Sequence, residues 1–262
     1  MKINIIKKLL PAAILSVGMI TITSCRITPK KVSDNSKASG LSSLTENGSD
    51  SSVLSMNSDN GGYSLDFELF SGLSEKYVDF NNRAFAYNGK LFKLGENTIG
   101  DLMNAGMEFT GKKFETAFLD YELIPNEQSA FFTCKVNSEV YVTVQGMNLT
   151  DDMQLQKDSV LIYFELGITD TIRDDTPDEK QELILNDVKE ANDLFRFSFP
   201  LDLRIDNLLE KFPDTTENDG KGGVTYLKDA VDNRWNSFIF RFDEKTGILN
   251  FFSISWLPDL QS

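Results

Sequence analysis

The sequence predicts an α+β fold made of two related modules, each a short helix packed on an antiparallel β-meander. Three observations predict it. Strand-type alternation runs through most of the chain after Tyr63, helical periodicity is confined to three short stretches, and one aliphatic pattern recurs about two of those helices. The first module is expected over residues 63–175 and the second over 176–262.

In chain order, a short aromatic strand ends in the step Phe92-Lys93-Leu94. Thr98 then caps a helix with Asp101 at N3, in the manner of a capping box, with Ile99, Leu102 and Met103 as its inner stripe and Gly106 as its stop. Residues 130–136, 139–145 and 159–168 alternate as strands. The last of these places Val160, Ile162, Phe164 and Leu166 on one face. A helix over 177–191 follows, with Thr176 as N-cap, Pro177 at N1, and Asp178 and Glu179 in the first turn. After Asp202, Ile205, Leu208, Leu209 and Phe212 recur at helical spacing until Pro213 ends the run. The C-terminus reads as a hairpin: Phe238, Phe240 and Phe242 on one face, a turn at 243–247, and a return strand bearing Phe252, Ile254 and Trp256.

The repeat rests on Ile99, Leu102 and Met103 matching Ile205, Leu208 and Leu209 at constant offset, each set preceded by a Phe-x-Leu step (Phe92-Lys93-Leu94 and Phe199-Pro200-Leu201) and followed by strands. Helices of two or three turns are not stable alone, so each is expected to pack on the sheet that follows it.

The N-terminus carries Lys2, Lys7 and Lys8, then a mostly apolar run from Leu9 to Thr23, too short for a comfortable bilayer span, and then Ile22-Thr23-Ser24-Cys25. This pattern resembles the lipobox of bacterial lipoproteins. The resemblance implies that residues 1–24 are a signal peptide, that Cys25 is lipidated and becomes the mature N-terminus, and that the protein is held at the outer, extracytoplasmic face of the cell membrane. Residues 26–62 lack aromatic residues and are dense in Ser, Asn, Gly, Asp and Lys, so they read as a disordered tether. Its about 37 residues would reach on the order of 30–35 Å, clear of the lipid headgroups.

The segment Asn88-Gly89-Lys90-Leu91-Phe92-Lys93-Leu94-Gly95-Glu96-Asn97-Thr98-Ile99-Gly100-Asp101-Leu102 resembles the Gly-x-Thr-x-x-Asp-Leu opening of repeats in low-GC Gram-positive lipoproteins of unassigned role. Those modules are in turn similar to the helix-plus-sheet units of β-lactamase inhibitor protein and of small outer-membrane assembly lipoproteins. The second repeat departs from this pattern, with Leu203-Arg204-Ile205 where Gly and Thr would stand, so inhibition or assembly activity does not transfer. The resemblance implies a non-catalytic binding module on a tether.

Composition narrows the function further. The formal charge is −14, and loss of the three lysines of residues 1–24, with no acid among them, makes it −17. That disfavours nucleic acid and flat contact with anionic lipid. There is no histidine, and lipidation of Cys25 leaves Cys134 without a partner, so Ser-His or Cys-His catalysis, His-based metal sites and a disulfide framework are excluded. Cys134 shares a face with Phe132 and Val136 and reads as a core thiol. Carboxylate chemistry remains open. Asp151-Asp152 and Asp174-Asp175 fall in polar turns, and the acidic 214–223 loop has Tyr226 where a calcium loop needs Glu. Trp256 shares a face with Phe252 and Ile254 and is assigned to the core. Trp235 and Tyr226, beside the loop at 215–223, are the candidate partner contacts. The reading is non-enzymatic binding of an envelope protein or glycan with no cofactor, and its rival is a surface glycan binder or carboxylate-based glycan-active enzyme.

Overall fold

The computed structural model of the chain describes residues 55–57, 62–109, 119–173, 175–231, 234–256 and 258. The signal segment and Cys25 lie outside the described residues. The fold is mixed α+β, with mostly antiparallel sheets and few helices.

Strands β1 (Ser55–Asn57) and β2 (Gly62–Ser64) pair with each other, so the last residues of the predicted tether contain paired backbone. β3 (Ala84–Tyr87) and β4 (Lys90–Lys93) form a hairpin that residue periodicity alone did not reveal. Its loop is Asn88-Gly89, with φ of 49° and 72°, the two left-handed positions that a tight hairpin turn demands. Helix α1 (Ile99–Asn104) is capped as its sequence predicts. The Thr98 hydroxyl accepts from Asp101 N at 3.1 Å, and the Asp101 carboxylate accepts from Thr98 N at 2.8 Å.

The strands that follow are β5 (Glu122–Leu123), β6 (Phe132–Lys135), β7 (Val140–Met147), β8 (Gln154–Leu155) and β9 (Val160–Ile168). Helix α2 (Asp178–Leu194) starts one residue later than predicted and runs three residues further. Pro177, not Thr176, is its N-cap, because the Thr176 hydroxyl is engaged in accepting from Arg173 N at 2.9 Å. The helix passes directly into β10 (Phe195–Arg196). Helix α3 (Ile205–Lys211) precedes β11 (Glu217–Asn218), β12 (Gly223–Val231), β13 (Arg234–Phe242) and β14 (Leu249–Ser255).

Seven strands form one antiparallel sheet in the order β11-β12-β13-β14-β9-β7-β6. A smaller antiparallel sheet, β10-β3-β4, packs its phenylalanines on one face of it. Phe85 of β3 meets Phe164 of β9 at 4.0 Å between ring centroids, and Phe195 of β10 meets the same ring at 6.2 Å. The following residues, Phe197 and Phe199, continue the layer against Phe252. Ile99 and Leu102 of α1, Ile184 and Val188 of α2 and Leu208 of α3 are all fully buried in the same core. Each helix therefore serves to seal the inner face of the sheet.

The turn between β13 and β14 is held by Asp243. One carboxylate oxygen accepts from the backbone N–H of Lys245 and Thr246 at 3.1 and 3.0 Å, and the other accepts from Arg173. Burial pushes this carboxyl up, but Arg173 and the two backbone donors outweigh burial and hold it at about 2, against an ordinary value of 3.8. Because the folded-state value is depressed, the stabilisation is complete above the unfolded value and is lost as pH falls from about 4 toward about 2. Asp243→Asn is expected to lower unfolding free energy at pH 7 by about 1–2 kcal/mol, discounted because Arg173 is partly exposed, with the gap to the wild type closing by pH 2. Urea denaturation of both proteins at pH 7, 4 and 2 measures this directly.

Candidate functional site

Alternation along the large sheet sorts its side chains into two unlike faces. Phe132 and Cys134, Val140, Val142 and Val144, Phe164 and Leu166, Phe252 and Ile254, Phe238, Phe240 and Phe242, and Val224 and Tyr226 point inward and are buried. The intervening residues point to the opposite side, where most are half-buried or exposed. Among the described residues this is the open face of the sheet.

Strand register arranges the open face in three transverse rows. The first runs Lys135, Tyr141, Gly167, Phe251, Arg241 and Gly223. The second runs Thr133, Thr143, Glu165, Ser253, Ile239, Thr225 and Glu217. The third runs Gln145, Tyr163, Ser255, Ser237 and Leu227. Trp235 lies beyond the third row, on the same side of β13 as Ser237, Ile239 and Arg241, and is 51% exposed.

The aromatic side chains on this face are held by specific contacts. A Cβ at Gly167 would fall 2.2–2.5 Å from the outer ring atoms of Tyr141, so the Tyr141 ring lies across the strand over Gly167. The Arg241 guanidinium sits 5.1 Å from the Phe251 ring centroid. Phe131 approaches Tyr163 edge-to-face at 5.5 Å. The Tyr163 hydroxyl donates to Glu165. Burial, then the hydrogen bond and charge of Glu165, push the Tyr163 phenol above its ordinary range. Burial, then Glu165, act the same way on Tyr141, with Arg241 opposing. Both phenols are therefore hydrogen-bond donors at neutral pH.

The sequence-predicted contacts separate here. Trp235 belongs to the open face. Tyr226 does not: it is 5% exposed on the inner face, its hydroxyl donates to the Phe212 carbonyl at 2.7 Å, and its ring meets Phe240 edge-on. Tyr226 is thus a core residue and not a surface contact. Trp235 and the 215–223 loop also fail to form one surface. Trp235 pairs with Ala230 whereas Gly223 pairs with Arg241, which puts them at opposite ends of the hairpin, about 20 Å apart at strand rise.

Within that loop Asp219 accepts from the backbone N–H of Lys221 and Gly223 at 2.7 and 2.8 Å, so its carboxylate holds the turn. Trp256 is half-buried against the core, with its ring over Gly95 and the Arg83 guanidinium 5.6 Å from its centroid. Cys134 is buried, as its alternation predicts, and burial pushes its thiol up to about 11. Asp151, Asp152 and Asp175 are exposed, and Asp174 lies outside the described residues. Among the described residues no three His, Cys, Asp or Glu side chains gather into a metal-holding group, and no helix is long and apolar enough to cross a membrane.

Sequence reasoning did not single out Tyr141, Tyr163, Glu165, Phe251 or Arg241. The outward direction of Tyr141, Tyr163, Glu165 and Arg241 is readable from the buried residues on either side of each, but the gathering of Tyr141, Tyr163 and Glu165 with Phe251 and Arg241 depends on strand order, which no local pattern encodes. No protein-family model, no curated protein and no solved structure matches the chain.

Two measurements check these placements. Tyr226→Phe should cost about 1 kcal/mol of unfolding free energy by loss of a buried hydrogen bond, while Trp235→Ala stays within about 0.5 kcal/mol of wild type. Cys134 should resist a thiol reagent at pH 8 in the native protein and react at once in urea, because the buried thiol is protonated there.

Proposed function

We propose that the chain is an exported lipoprotein of the cell envelope, anchored through Cys25, that binds a macromolecular partner and does not transform it. The N-terminal charge, the apolar run and the small residues before Cys25 support anchoring. The observation that carries the binding reading is the open face of the seven-stranded sheet, where Tyr141, Tyr163, Phe251 and Trp235 stand among hydroxyl and charged side chains. On this reading the fold comprises two related modules whose meanders, β6-β7-β9 and β12-β13-β14, meet last strand to last strand in mirrored order. Such an order is what duplication about a two-fold axis between β9 and β14 would give.

The rival, a glycan-cleaving enzyme, needs two carboxyl groups about 5–10 Å apart across a glycosidic bond. Glu165 and Glu217 share a row of the open face but are four strands apart, about 19 Å at the usual spacing. That pair does not suit the chemistry.

The test combines location with retention. Wild-type chain should partition with membranes and Cys25→Ala should not. Wild-type chain immobilised through its lipid should retain a component of envelope extract saturably, and the double variant Tyr141→Ala/Trp235→Ala should lose it. Absence of saturable retention would sink the binding reading. So would release of a cleaved product that stops in Glu165→Gln.

A further inference from the structure

We infer that the open sheet face takes an uncharged polysaccharide, an inference that rests on the binding-protein reading and narrows its partner to one chemical class.

Charge is the first argument. The chain carries −14, yet on the three rows Lys135 and Arg241 balance Glu165 and Glu217. A basic partner would be drawn to the acidic remainder of the surface rather than to this face. A polyanion would be repelled by the molecule as a whole. An uncharged polymer meets neither obstacle.

The second argument is the order of the rows. A sugar ring has apolar C–H faces and a polar hydroxyl rim, so its receptor needs flat aromatic surfaces alternating with hydrogen-bonding groups. The first row supplies the Tyr141 ring, laid over Gly167, and on the next strand, about 5 Å on, Phe251 with the Arg241 guanidinium over its ring. The second row, running alongside, supplies Thr143 and Glu165. A protein partner would be better served by a central cluster of apolar anchors. The middle of this face is polar instead.

Gly167 is the structural key. Without a side chain it leaves the space that the Tyr141 ring occupies, and any other residue there would lift the ring off the sheet. A glycine in a central strand is otherwise unfavourable, having nothing to pack and extra backbone entropy to lose. Its placement under an aromatic ring is accounted for if that ring is a platform.

The experiment uses the mature lipidated chain in detergent micelles, titrated calorimetrically with cello-, chito-, manno- and laminari-hexaose, and with poly-lysine and hyaluronate as charged comparators. At least one neutral hexasaccharide should bind saturably. Tyr141→Ala should weaken it about three- to tenfold, the range of one aromatic contact. Gly167→Ala should weaken it comparably by displacing the ring. Met153→Ala, which lies off the face, should leave it unchanged, and the thermal unfolding of each variant shows that it is folded. The inference is overturned if no neutral hexasaccharide binds, if binding ignores Tyr141→Ala, or if poly-lysine or hyaluronate binds in a Tyr141-dependent way. Should the glycans fail while an envelope component is still retained through Tyr141 and Trp235, this inference falls and the binding reading stands; should both fail, both are wrong.

Discussion

The pairing of β9 with β14 is the constraint on which the rest of the structure depends. β7 and β6 extend from one side of this pair, and β13, β12 and β11 from the other. Its register sets Phe252 opposite Leu166 and Ile254 opposite Phe164, so both halves present their apolar residues to the same side. A slip of one residue would turn one half of the sheet inside out, exposing phenylalanines and burying Glu165. The pairing is enforced from the inner face, where Phe85, Phe197 and Phe199 of the covering layer contact rings from both β9 and β14. The inner phenylalanines thus fix the rows on the outer face, although they touch nothing there.

Irregularities in the ladder are placed where the sheet must admit something. The register shifts between Gln145 and Gly146, and a Cβ on Gly146 would fall 2.0 Å from the Ser159 hydroxyl and 3.1 Å from Ile99. The break therefore sits where helix α1 and the chain entering β9 crowd β7. Gly167, one strand over, serves the opposite face in the same way by admitting Tyr141. Two glycines in neighbouring strands each exchange a side chain for close approach, one toward the core and one toward solvent.

How much of this was legible in the sequence depended on the range of the signal. The capping box at Thr98 and Asp101 and the stop at Gly106 are local, and the structure reproduces them. Thr176 was also a reasonable cap by composition, but its hydroxyl was taken by Arg173 N, a contact that residue type does not reveal. Tyr226 was misplaced for a different reason. The strand Gly223–Val231 was not recognised behind the glycine-rich loop, so the parity of Val224 and Tyr226, which assigns both to the core, went unread. Asn88-Gly89 is a local hairpin signal, and it forms the β3-β4 turn. The open face was the least legible feature: Arg241 and Phe251 face each other across the predicted C-terminal hairpin, but Tyr141 joins their row only through the β7-β9-β14 order.

The same geometry disfavours backbone recognition at the β11-β12 edge of the sheet. β11 covers the start of β12, and beyond it the Thr216 hydroxyl accepts from Leu227 N at 2.8 Å. Immediately after that the register shifts between Leu227 and Asp229, twisting the strand out of line with any added partner. A segment docking there would find its first donor already satisfied and the ladder out of step, with charged Lys228 and Asp229 in its path. Edges protected in this way keep an exposed sheet from polymerising. On the binding reading proposed above, the face compares well with that edge, because its side chains are held by the rigid ladder beneath them and would lose little conformational freedom on engaging a ligand.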